Sequence, residues 1–306
     1  MAKLQSSEIV GVANRPATIC SNTMCLWFDT TNSRATVSYC GYAPGVLSVG
    51  GALATARYGL GGAGTQNEGL AFGGNGNVTC TEEYNGTSWS AGGSLITGRR
   101  QLSGAGTQNL GLAFGGSGGM NCTEEYNGTS WSAGGALITG RQLLAGAGTQ
   151  NEGLATGGYV GPAVSCTEEY NGTSWSAGGA LITGRNSLTA VGTQNAGLAF
   201  STTTEEYNGT SWSAGGGLIT ARSSLAGAGT QNIGLAMGGI TSVNVSCTEE
   251  YNGASWSAGG SLITGRRQSS GAGIQNEGLA FGGIAGFTVS CTEEYTKTFT
   301  IVDCIL

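Results

Sequence analysis

The chain contains no histidine and only two aspartates, Asp29 and Asp303. Without histidine the commonest general base is missing, and so is the usual Ser-His-Asp or Cys-His nucleophile arrangement. No imidazole is present to ligate zinc or copper, and no Cys-x2-Cys pair takes its place. The sequence therefore assigns no catalytic residue, no metal and no cofactor. Charge is also scarce, at 10% against about a quarter in an ordinary soluble domain. The twelve lysines and arginines form no cluster and the net charge is −6, which argues against nucleic acid as a partner. No apolar run reaches the length of a membrane-spanning helix, so no membrane insertion is expected. Residues 1–8 lack the apolar run of a signal peptide,, giving the expectation of synthesis in a cytoplasm and release, if any, by lysis.

Glycine is abundant, with 59 residues, against 3 prolines. Hydrophobic residues nevertheless reach 39%, more than a disordered segment carries, and tryptophan and tyrosine recur at fixed places. The pattern Thr-Glu-Glu-Tyr-Asn-Gly-Thr-Ser-Trp-Ser-Ala-Gly-Gly, then Leu-Ile-Thr-Gly-Arg, then Gly-Thr-Gln-Asn, then Gly-Leu-Ala-Phe-Gly-Gly returns throughout. Its Gln-Asn pair ends at Asn67, Asn109, Asn151, Asn195, Asn232 and Asn276, giving spacings of 42, 42, 44, 37 and 44 residues. Such a period fits a four-stranded propeller blade. Helical repeats are excluded by the crowding of Gly, Thr, Ser and aromatics and by the absence of a 3.6-residue apolar period.

The second copy divides into strand a over Leu102–Thr107, strand b over Gly111–Phe114, strand c over Asn121–Tyr126 and strand d around Trp131. Gln108-Asn109 turns a into b. Asn127-Gly128 joins c to d and predicts a two-residue type I′ hairpin, in which both residues take positive φ. Equivalent Asn-Gly pairs start at Asn85, Asn171, Asn208 and Asn252.

A double glycine ending strand b, a glutamate two before a tyrosine, a tryptophan soon after and an arginine between d and the next a together resemble the kelch repeat. The resemblance covers Tyr42 to the C-terminus. Blade four departs from it, because its double glycine is replaced at Phe200-Ser201. The expected fold is all-β: a six-bladed propeller of four-stranded, kelch-like blades over residues 42–306, after an N-terminal docking segment, 1–41. Cys25-Leu-Trp-Phe28 and the polar stretch Asp29–Ser33 read as a hairpin in that segment. Two ring closures stay open: the tail from Phe299 supplies the last strand d, or Val46–Gly50 closes the ring. A seventh blade from residues 20–50 is a further alternative.

Neighbours on a strand point to opposite faces, so a Glu-Glu pair cannot chelate as a unit. Kelch resemblance implies that Glu82, Glu124, Glu168, Glu205, Glu249 and Glu293 meet Arg57, Arg99, Arg141, Arg185, Arg222 and Arg266 in structural pairs between blades. Cys80, Cys122, Cys166, Cys247 and Cys291 share one repeat position. Copies across a sheet-to-sheet gap of about 10 Å lie beyond the roughly 7 Å Cα limit for bridging, so they read as small buried thiols. Pairing among Cys20, Cys25, Cys40 and Cys304 is left open.

Strands a to d hardly vary between copies, whereas the b–c loops do. Divergent loops on one face of a rigid scaffold are a common plan for binding; neutral drift in tolerant loops is the competing explanation. Asn75, Asn77, Met120, Tyr159, Pro162, Thr202, Val243 and Phe287 are the candidate contact residues. Glu8–Arg15 followed by near-identical Glu-Glu-Tyr-Asn-Gly-Thr-Ser-Trp copies resembles repeat proteins of marine tailed bacteriophages. That resemblance implies a non-enzymatic virion structural or adhesion protein, a tail or capsid fibre module made in the host cytoplasm. It also implies oligomers in the particle, virion partners at the N-terminal segment and a host-surface glycan or protein at the loops. The alternatives are a cytoplasmic kelch scaffold for protein–protein contact and, more remotely, a glycan-active propeller enzyme.

Overall fold

The computed structural model describes residues 24–29, 34–42, 45–297 and 299–305. It divides into two compact units, Val46–Thr296 and a smaller one formed by residues from both ends of the chain. In the smaller unit Met24–Asp29 pairs antiparallel with Arg34–Tyr42; residues 30–33 of the expected turn lie outside the described residues. Phe299–Ile305 adds as a third strand on Arg34–Tyr42. The tail therefore pairs outside the ring, although the sequence reading counted it with the propeller. Among the described residues, Met24–Asp29 and Arg34–Tyr42 join this three-stranded sheet and Val46–Gly50 joins blade six, so they build no seventh blade.

Val46–Thr296 is a six-bladed propeller of four-stranded antiparallel sheets. The blade-two strands are Ser103–Gly106, Gly111–Phe114, Thr123–Tyr126 and Trp131–Ala133. Strands a and c are shorter than the sequence suggests because the adjoining residues turn to meet neighbouring loops. Val46–Gly50 closes the ring as strand d of blade six, with Tyr295 opposite Leu47 and Thr296 opposite Val46. Leu47 stands where the other blades carry tryptophan.

A single blade is too thin to bury its own faces. The apolar clusters accordingly lie between blades: Phe72 and Leu70 of blade one pack with Leu102, Tyr126 and Trp131 of blade two. Phe72 meets Trp131 edge-on at 5.0 Å between ring centres. Burial on both faces explains why the Gly-Leu-Ala run of strand b is covered in every blade.

Polar stitches repeat around the ring. Trp131 Nε1 donates to Thr81 Oγ1 of the preceding blade at 2.9 Å, and Gln108 Nε2 donates to the Gly69 and Tyr84 carbonyls. Tyr126 Oη donates to Glu83 at 2.5 Å. At the ring closure the partners are Gln66 with the Gly278 and Tyr295 carbonyls, and Tyr84 with Glu294.

The innermost strands approach so closely that a Cβ at Gly104 would lie 2.8 Å from the Gly62 carbonyl oxygen, and one at Gly271 would lie 2.5 Å from that of Gly227. The central channel they leave is about 130 Å³. At one mouth, six residues pass backbone hydrogen bonds head to tail around the axis. Gln101 donates to Gly59, Leu143 to Gln101, Ser187 to Leu143, Ser224 to Ser187, Gln268 to Ser224 and Gly59 to Gln268, at 2.6–3.0 Å. All six have left-handed φ, between 52° and 61°.

The c–d connection differs from the expected type I′ hairpin. Tyr84 pairs with Trp89, which leaves four residues in the turn. Gly86 takes positive φ whereas Asn85 does not. Asn85 instead acts through its side chain, with Oδ1 accepting from the Thr87 and Ser88 amides at 3.0 and 2.9 Å. Asparagine favours such local side-chain turns.

Candidate binding face

Strand order fixes two faces. The a–b turns and c–d hairpins lie at one end of the blades, where a Cβ on Gly86 would meet Asn67. The b–c loops and d–a connections lie at the other. The chain enters the propeller at Val46 and leaves it at Thr296, side by side, at the place where other blades carry the c–d hairpin. The divergent b–c loops are therefore on the face opposite the entry and exit points.

The scaffold beneath these loops is a set of buried ion pairs. Arg57 meets Glu82 at 2.7 Å, Arg99 meets Glu124 at 3.1 Å, Arg185 meets Glu205 at 3.2 Å and Arg266 meets Glu293 at 2.5 Å. Arg141–Glu168 and Arg222–Glu249 form the same pair. Each arginine sits on a d–a connection and reaches strand c of the blade that follows. The carboxylate also takes backbone amides: Glu124 accepts from Ile96 at 2.7 Å and Thr97 at 3.2 Å. A buried charge requires this degree of satisfaction. The second glutamate of each pair, on the opposite face of the strand, takes the tyrosine hydroxyl of the next blade. Burial, then donation to glutamate, pushes Tyr84, Tyr126, Tyr170, Tyr207 and Tyr251 up to about 12.

The d–a connections hold Ile96, Ile138, Ile182, Ile219 and Ile263 outward, each 60–64% exposed, with Ala54 in the sixth place. Their amides are fixed by the glutamates beneath, so the apolar side chains stand on immobilised backbone.

The b–c loops fall into two groups. In blades three, five and six the residue after the double glycine bridges the d–a connection and then folds back on itself. Tyr159 bridges Gln142 and Ala163, Ile240 bridges Ser223 and Asn244, and Ile284 bridges Arg267 and Thr288. These small hairpins raise Tyr159 and Pro162, Val243, and Phe287 into solvent; Phe287 is 74% exposed and Val243 63%. Asn244 joins two of them, donating from Nδ2 to the Ile284 carbonyl at 2.9 Å and accepting from Arg267 Nη1 at 3.0 Å. Blades five and six thus share one ridge. Blade four, with only Ser201-Thr202-Thr203, leaves a gap between that ridge and the blade-three hairpin. Thr202 is exposed in the gap.

Blades one and two use their loop residues differently. Asn75 Oδ1 accepts from the Tyr58 amide at 3.0 Å, and Asn77 accepts from Ser117 of blade two at 3.0 Å. The Met120 amide donates to the Gly116 carbonyl and Met120 is half-buried. Asn75 and Met120 thus take part in holding their own loops in shape. The eight candidate residues share a face without converging on a pocket, and none of them lines the central channel.

The five repeat cysteines are unbridged. They are half-buried, not fully buried as the sequence suggests, because each stands just before strand c at its rim; Arg57 Nη1 lies 3.0 Å from Cys80 Sγ. Cys20 and the side chains of Cys25, Cys40 and Cys304 lie outside the described residues. Among the described residues no group of three His, Cys, Asp or Glu could hold a metal ion. The tyrosine–glutamate stitches and the blade-joining glutamines were missed by sequence reasoning; their signal was a polar residue invariant among six copies.

No protein-family model matches the chain, and no curated protein matches it. Its fold is shared with 372 chains of solved structures. One is the structure of YjhT, similar at a TM-score of 0.67 and 12% identity over 81% of this chain and 99% of that one. At that identity the likeness establishes the propeller and nothing of what it binds.

Proposed function

We propose that the chain is a non-catalytic binding propeller that serves as a virion structural or adhesion protein, a tail or capsid fibre module with its b–c face toward the host surface. The observation that carries the binding reading is the placement of variation. Six nearly identical blades differ chiefly in their b–c loops, and the longest of these raise Tyr159, Val243 and Phe287 into solvent. The chain's entry and exit on the opposite face suit attachment through the terminal segments and display of the loops. Every glutamate of the Glu-Glu pairs is engaged in holding the blades together, which supports a scaffold over a catalytic role. The assignment to a bacteriophage particle rests on the resemblance of the N-terminal segment and repeat wording.

Peptide mass spectrometry on density-purified particles from the source culture tests the assignment. The chain is expected at fixed stoichiometry. Absence from particles together with abundance in cell lysate would overturn the virion assignment in favour of an intracellular scaffold. Replacing the blade-five and blade-six loops with that of blade one is expected to abolish adsorption while leaving particle incorporation intact.

A further inference from the structure

The two faces of the propeller carry opposite uncompensated charge. Once the ion pairs and tyrosine contacts are set aside, the propeller's remaining carboxylates are Glu68, Glu152 and Glu277. All three are exposed and sit in a–b turns. The propeller's two arginines outside the repeat pairs are Arg100 and Arg267. They sit on the opposite face, where the Ser117 amide donates to the Arg100 carbonyl and Arg267 bridges Ile284. Neither has a carboxylate partner among the described residues. Arg267 spends one donor on Asn244, which leaves the rest of its guanidinium available.

Apolar surface accompanies the charge on both sides. The arginine face bears the five exposed isoleucines, and the glutamate face bears Leu110, Ile233 and Ile274, 50–52% exposed. The placement around the ring also matches. Arg267 belongs to blade six and Arg100 to blade two, two blades further on. Glu68 belongs to blade one and Glu152 to blade three, again two blades apart. Turning one copy by a single blade about the shared axis sets Glu68 over Arg267 and Glu152 over Arg100 together. Both sets flank the innermost strands, so they lie at similar distance from the axis.

We propose that this face pair is an interface between copies of this chain: propellers stack head to tail, each rotated by one blade relative to the last. Such a contact is heterologous. It does not close after two copies and builds an open column. One b–c face remains free at the end of the column, so a foreign ligand and stacking compete only for the terminal copy.

Sedimentation velocity on the full chain over a concentration series provides the test. Wild-type protein is expected to form a series extending beyond dimers. Arg100→Glu with Arg267→Glu makes both faces acidic, and Glu68→Arg with Glu152→Arg makes both basic. Each double variant alone is expected to associate roughly tenfold more weakly or worse. An equimolar mixture is expected to assemble again, with the two variants alternating. Thermal melts of each variant report folding, and Arg100→Gln with Arg267→Gln replaces the reversal if it impairs folding. A wild-type chain that stays monomeric, a series that stops at dimers, or double variants that assemble like wild type would overturn the proposal.

Discussion

The Gly59 amide donates to the Gln268 carbonyl at 3.0 Å, joining the first and last blades. It completes the cycle of six backbone hydrogen bonds around the channel mouth. The cycle requires left-handed backbone at every member, and five of the six are not glycine. An L-residue there costs about 1–2 kcal/mol, so the ring stores strain in return for closure. Ser224→Gly is expected to stabilise the protein by about 0.5–1 kcal/mol, after allowing for glycine's greater freedom in the unfolded chain. Gly59→Ala is expected to destabilise it by about 1 kcal/mol. Chemical denaturation of both variants measures the two shifts, and their opposite signs are the prediction.

Arg141→Ala leaves Glu168 buried without its cation. A loss of about 3–5 kcal/mol follows from stranding a buried charge. Binding by the fraction that remains folded is expected to be unchanged, because Arg141 lies beneath the loops and is fully covered. A denaturation curve paired with a ligand-binding isotherm at low temperature separates the two effects.

Five tyrosine hydroxyls are held at about 12 against an ordinary 10.0. Above pH 10 the unfolded chain releases these protons while the folded chain retains them. The stability they contribute is therefore complete below about pH 10 and is lost as pH rises toward 12. Melting temperature is expected to be flat from pH 8 to about 9.5 and to fall steeply beyond. Tyr126→Phe is expected to lower stability at neutral pH, because Glu83 loses its donor, and to make the alkaline fall shallower.

The propeller's five cysteines make no bridges. A reductant is expected to leave the propeller's melting transition unmoved. Their half-buried thiols are expected to react with maleimide slowly in the folded state and fully in denaturant. Intact-mass measurement counts the adducts.

Fold class and blade count could be read from the sequence because the repeat is nearly unmutated and its turn residues stand at fixed offsets. Trp89, Tyr84 and the double glycine at Gly73-Gly74 each mark a strand end. The sequence leaves ring closure between Val46–Gly50, which aligns with strand d but lacks its tryptophan, and the tail from Phe299; the structure takes the first. Its partner strand lies about 250 residues away in the chain, from Val46 to Thr296. The turn at Asn85-Gly86 was read from its dipeptide as a two-residue loop. The side-chain bonds from Thr87 and Ser88 to Asn85 lengthen it, and no local pattern distinguishes the two. The loops could be read as variable, but not their shapes: Asn244 joins blades five and six through a contact 40 residues distant.

Closure by Val46–Gly50 also has a consequence in time. The strand that completes blade six is made before every other strand of the propeller, and its partner after all of them. At about 5–20 residues per second, it waits roughly 12–50 seconds with its backbone unpaired. The ring cannot shut until Thr296 has been made. Any nascent chain released before Thr296 is an open arc of blades with two exposed ends, able to join another such arc. Truncation should therefore produce aggregates, not smaller rings.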